Sequence, residues 1–89
     1  MIRKIEQFIW EGRPIVNQII VSTDNRQYLV SYGKTVASKG TGGIILSTDW
    51  NCSRTTSKYV SRFLNCSARE IKNLIEKKVI TIVSELTIE

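Results

Sequence analysis

Histidine is absent from the 89 residues. Its absence excludes Ser–His–Asp and Cys–His nucleophilic arrangements and every histidine-bearing metal site. The two cysteines, Cys52 and Cys66, form no CxxC pair and cannot by themselves complete a zinc site. No hydrophobic run approaches the ~20 residues of a membrane span. Glu6 and Gln7 interrupt the opening segment before it reaches signal-peptide length, so neither a targeting segment nor a membrane partner is expected. Carboxylates are also scarce, eight against thirteen Lys/Arg, and no spacing pairs Asp24 with Asp49 for acid–base work. A cysteine nucleophile without histidine needs another base, and the sequence places none. The expectation is a non-enzymatic protein with no metal and no cofactor.

What remains is globular. The chain is 42% hydrophobic and 24% charged with a single proline, which suits one small domain over residues 1–89. The net charge of +5 is unevenly placed. Residues 1–49 hold six basic and four acidic side chains, residues 50–78 hold seven and two, and the tail adds only Glu85 and Glu89. An excess confined to one segment points to a polyanionic or acidic partner.

Periodicity divides the chain into two halves. Residues 1–11 fit either a short amphipathic helix or a strand, with Gly12 and Pro14 marking the end. Ile15–Val21 is β-branched and reads as a strand, followed by turn chemistry at Thr23–Arg26. Gln27–Tyr32 with Lys34–Ser38 reads as the return strand, broken at Gly33. Lys39–Gly43 reads as a flexible hairpin connection and Ile44–Ser47 as a further strand. Ser53 or Thr55 can then cap a helix to about Leu64, with Thr56, Tyr59, Val60, Phe63 and Leu64 on one face. Asn65-Cys66 breaks it. Ser67-Ala-Arg-Glu70 is a capping box opening a second helix with Ala68, Ile71, Leu74 and Ile75 buried. Val79–Ile88 alternates again and should be a closing strand. The expected fold is α+β: an antiparallel sheet of about four or five strands, two consecutive helices on one face, and a C-terminal strand. A helix over 53–64 holds the cysteines roughly 18 Å apart, beyond the ~7 Å a disulfide tolerates. Both thiols therefore read as reduced, in a cytoplasm.

The sharpest local signal is the outer face of the first helix. Arg54, Lys58 and Arg62 lie within about 80° of one another, flanked by Ser57 and Ser61, with no acidic residue between them. Cations and hydroxyls in such a stripe suit phosphates. The plainer alternative is a solvated face. Lys34, Lys39 and Arg69 are candidates to extend the patch. A helix-turn-helix is disfavoured because Arg69 and Lys72 of the second helix are interleaved with Glu70 and Glu76. Lys39-Gly-Thr-Gly-Gly43 lacks the phosphate-loop order and fits a hairpin better. Trp10, Tyr28, Tyr32 and Trp50 could stack bases, but a core role is favoured for each.

Two stretches, Ser31-Tyr-Gly-Lys-Thr-Val-Ala37 and Trp50-Asn-Cys-Ser-Arg-Thr-Thr-Ser-Lys-Tyr59 with Phe63-Leu64, make residues 28–64 resemble a family of small bacteriophage proteins of unassigned function. Cys52 stands where family members often carry an aromatic. The resemblance implies an accessory protein acting in an infected bacterial cytoplasm, with no catalytic residues. By analogy with that class, the first reading is an RNA-favouring nucleic-acid binder that inhibits a host defence enzyme such as a ribonuclease toxin. A second reading is a basic face docking directly on an acidic host protein. A third is a homodimer or larger assembly built through an exposed strand edge.

Overall fold

A computed structural model of the chain describes residues 1–88. Six strands, β1 (Ile2–Trp10), β2 (Arg13–Thr23), β3 (Arg26–Ser31), β4 (Lys34–Gly40), β5 (Ile44–Ser47) and β6 (Ile80–Val83), form one sheet in sequence order. Two helices, α1 (Arg54–Leu64) and α2 (Ala68–Glu76), lie between β5 and β6 in the chain and cover one face. Neither helix is long and apolar enough to cross a membrane.

The α+β architecture is as the sequence indicates; three details differ. Residues 27–38 are a hairpin, β3 and β4, rather than a single interrupted strand. Tyr32 and Gly33 both hold positive φ, 50° and 81°, the conformation a two-residue turn requires to match the strand twist. Tyr32 therefore stands at a turn and is exposed, not in the core. The sheet is mixed, because β6 pairs parallel to β5 while every other pair is antiparallel. The two-helix crossover carries the chain back to the end of β5 at which that strand began, so β6 runs the same way. The closing strand ends at Val83. Beyond it, Glu85, Leu86 and Thr87 share a cavity with Arg26, Tyr28, Ile45 and Val83, so the tail lies against the sheet face opposite the helices. The ambiguous first segment is a strand.

Arg26 organises the glycine-rich β4–β5 connection. Its guanidinium donates to Ser38 Oγ at 2.8 Å, to the Gly43 carbonyl at 2.8 Å and to the Thr41 carbonyl. The loop is thus held through its carbonyls, which is the reverse of a phosphate cradle. Gly40 is required by close approach: a Cβ there would collide with the Asn25 carbonyl oxygen and the Arg26 backbone.

Asn17 adopts φ 65° within β2, and its carbonyl accepts from Tyr32 N at 2.9 Å. This left-handed residue shifts the strand's alternation, sending Gln18 and Ile20 toward the helices and leaving Val16 and Ile19 exposed. The core comprises Ile20, Leu29, Val36, Ala37, Leu46, Trp50, Tyr59, Val60, Phe63, Ile71 and Ile80. Gln18 is fully buried, and neither its amide oxygen nor its nitrogen has a hydrogen-bond partner.

Two stability predictions follow from this packing. Phe63→Ala should lower unfolding free energy by roughly 3–5 kcal/mol, whereas Arg54→Ala on the outer face should stay within about 0.5 kcal/mol of wild type. Gln18→Met removes both orphan groups at similar volume and should raise stability by about 1 kcal/mol. Urea denaturation of the three variants checks both; a loss for Gln18→Met would mean the amide finds polar partners in solution.

Candidate nucleic-acid interface

The caps fix the register of α1. Ser53 Oγ accepts from Thr56 N at 3.1 Å, and Asn65 closes the helix in the left-handed conformation. With Thr56, Tyr59, Val60 and Phe63 turned into the core, Arg54 and Lys58 are exposed on the outer face, and Ser57 and Ser61 are half-buried along its flank. The helix contains no carboxylate. Outside the helix, Asp24 pairs with Arg3, Glu6 with Lys4 at 3.3 Å and Asp49 with Lys34 at 3.6 Å.

Arg62 departs from a simple outward position. It is half-buried, its guanidinium 5.0 Å from the Trp10 ring centroid and 5.3 Å from that of Tyr59. Lys58 Nζ lies 5.3 Å from the same Tyr59 ring. Tyr59 meets Phe8 edge to face at 6.1 Å, and Phe8 lies 6.4 Å from Trp10. Two cations are therefore seated on a cluster of three aromatics, a favourable arrangement that also fixes the direction of the charges. Alternation along β1 turns Phe8 and Trp10 toward the helix layer, where they meet α1. Trp10 is half-buried and shared between packing and this cluster, rather than being a core residue alone, whereas Trp50 and Tyr28 are buried.

Between β1 and α1 runs an open groove of about 330 Å³, bordered by Phe8, Trp10, Gln27, Lys39 and Arg62, with the Glu6 carboxylate also on its wall. Beside it, Trp10, Ser61, Arg62 and Glu70 border a second hollow, so a carboxylate stands near the C-terminal end of the stripe. Electrostatically, the open cationic stretch is Arg54–Lys58, and Arg62 is its aromatic-supported end.

The other three candidates do not join this face as free charges. Lys39 is half-buried, donates from Nζ to the Phe63 carbonyl at 2.7 Å and lies 4.6 Å from the Phe63 ring centroid. It satisfies a carbonyl of the last turn of α1 and complements the helix dipole there. Lys34, at the opposite end of β4, is paired with Asp49. Arg69 is exposed in the first turn of α2, next to the Glu70 of the capping box. Cys52 is exposed, Cys66 is half-buried, and both are free thiols.

Sequence reasoning missed Phe8, and it weighed Trp10 for base stacking without placing it beside the stripe. The available signal was their i, i+2 spacing, which puts two aromatics on one face of a strand. Nothing local says that this strand borders α1.

No curated protein and no solved structure matches the sequence. A family model matches residues 8–81, from the aromatic positions of β1 through both helices into β6, and the chain thereby belongs to the family of unknown function DUF8033.

Proposed function

We propose that this protein is a non-catalytic nucleic-acid binder, with single-stranded RNA its preferred ligand, acting through the outer face of α1. The observation that carries the reading is the seating of Arg62 and Lys58 on Trp10 and Tyr59 in a helix that has no acidic residue. Phosphates are recognised by directed cations and hydroxyls, here Arg54, Lys58, Arg62, Ser57 and Ser61. Sequence-tolerant single-strand binding combines such a track with aromatic faces for unstacked bases. Phe8 and Trp10, at the edge of the 330 Å³ groove, supply aromatic surface next to that track.

The biological setting we propose comes from the resemblance of residues 28–64 to small bacteriophage proteins. In the cytoplasm of an infected bacterium, RNA binding by this face would serve to block a host defence enzyme such as a ribonuclease toxin.

Replacing Arg54, Lys58 and Arg62 together by glutamine should weaken retention of single-stranded RNA. It should also flatten its salt dependence, lowering the magnitude of the log–log slope by about 2, at about 0.7 per neutralised phosphate. A control triple at Arg13, Lys77 and Lys78 removes the same formal charge from exposed positions outside α1 and should matter less. Filter binding across a salt series provides the measurement. Equal losses from the two triples would reduce the interaction to diffuse attraction. Absence of binding by the wild type at low salt would replace the reading with direct docking on an acidic host protein.

A further inference from the structure

The sheet ends in two edge strands, the nine-residue β1 and the four-residue β6. β1 is an edge strand, paired only with β2, so one side of its nine-residue backbone carries unmatched donors and acceptors. On the face opposite the helices, Ile5 is 64% exposed, Ile9 58% and Ile19 38%. Ile5 pairs with Val21, and Gln7 pairs with Ile19, within the regular stretch Lys4–Gln7; register shifts interrupt the strand on either side of it. Edges are commonly protected by lysine and other charges, by proline, by bulges or by an inward-pointing charge, and β1 carries Lys4 and a register shift on either side of Lys4–Gln7. The centre of this stretch is instead an exposed isoleucine between a lysine and a glutamate.

We propose that β1 pairs antiparallel with β1 of a second copy about a twofold axis through Ile5, joining two six-stranded sheets into one. An antiparallel pair places directly opposed side chains on the same face, so self-pairing is limited to registers centred on one residue. Centring on Lys4 sets Lys4 against its own copy, and centring on Glu6 does the same for Glu6; like charges directly opposed are destabilising. Centring on Gln7 leaves both charges without a complement and runs the pairing into the irregular stretch before Ile9. Centring on Ile5 sets each Lys4 against the other copy's Glu6 and stacks Ile5 on Ile5. Lys4 and Glu6 already approach to 3.3 Å on one face of their own strand, so the dimer turns two intrastrand pairs into an alternating group of four charges. The axis is normal to the sheet, so both α1 helices lie on the same side. The front faces of β2, β1 and their symmetry copies form a floor between them, about 19 Å across at ~4.8 Å per strand.

Sedimentation equilibrium over a concentration series, without nucleic acid, tests the dimer independently of any ligand. Wild type should approach twice its monomer mass as concentration rises. Lys4→Glu at an exposed position and Glu6→Lys at a half-buried one oppose like charges and should weaken dimerisation about tenfold or more. The double variant reverses both pairs, keeps the net charge and should restore the dimer. Circular dichroism on the single variants establishes that the monomer remains folded. A wild type that stays monomeric throughout would overturn the proposal. So would a dimer indifferent to both single changes, or a double variant no better than either.

Discussion

The seat of α1 on β3 and β4 governs most of what this molecule presents to solvent. One end is fixed where the Ser31 and Thr56 hydroxyls meet at 3.1 Å in the core, the other where Lys39 donates to the Phe63 carbonyl. Tyr59, Val60 and Phe63 fill the layer between. With both ends held, rotation of the helix is blocked, and the direction of every cation on its outer face is set by the core rather than by the charges themselves. The same seat brings Tyr59 against Phe8. That contact explains why a strand distant in sequence contributes rings to a basic helix.

Coverage of the sheet is asymmetric. Two short helices suffice for β3 to β6 on one face, and the tail around Leu86 lies against the opposite face near Tyr28 and Ile45. Gln18 and Ile20 of β2 are buried under the helices, whereas Ile5, Ile9 and Ile19 on the other face of β1 and β2 stay exposed. Asn17 sharpens the asymmetry, since its left-handed turn within β2 selects Gln18 and Ile20 for the interior over Ile19. The buried amide without partners comes with the same shift.

Charge is sorted by the fold as well as by the sequence. Three of the carboxylates are paired with lysine or arginine outside α1, while the helix itself carries none. Lys34 and Lys39 are spent on Asp49 and on a helix carbonyl, so proximity in composition overstates the patch. The free cationic surface is narrower than the basic segment, and aromatic in support.

The sequence by itself determined the elements whose cause is local. Ser53 and Ser67 capped their helices, the 3.6-residue spacing chose Thr56, Tyr59, Val60 and Phe63 as the buried face, and the acid-free outer face of α1 followed from the same spacing. Partner choice was decided only in three dimensions. Alternation in 79–88 is equally compatible with parallel and antiparallel neighbours, so the crossover, not the pattern, made β6 parallel. Tyr32 resembles a strand residue until the chain reverses there at positive φ. Lys39 resembles a free cation until the end of α1 arrives beside it, and Trp10 resembles a core residue until Arg62 takes its face. Such pairings join residues separated by 24 to 52 positions, and hydrophobic periodicity encodes which way a side chain points, not what it will meet.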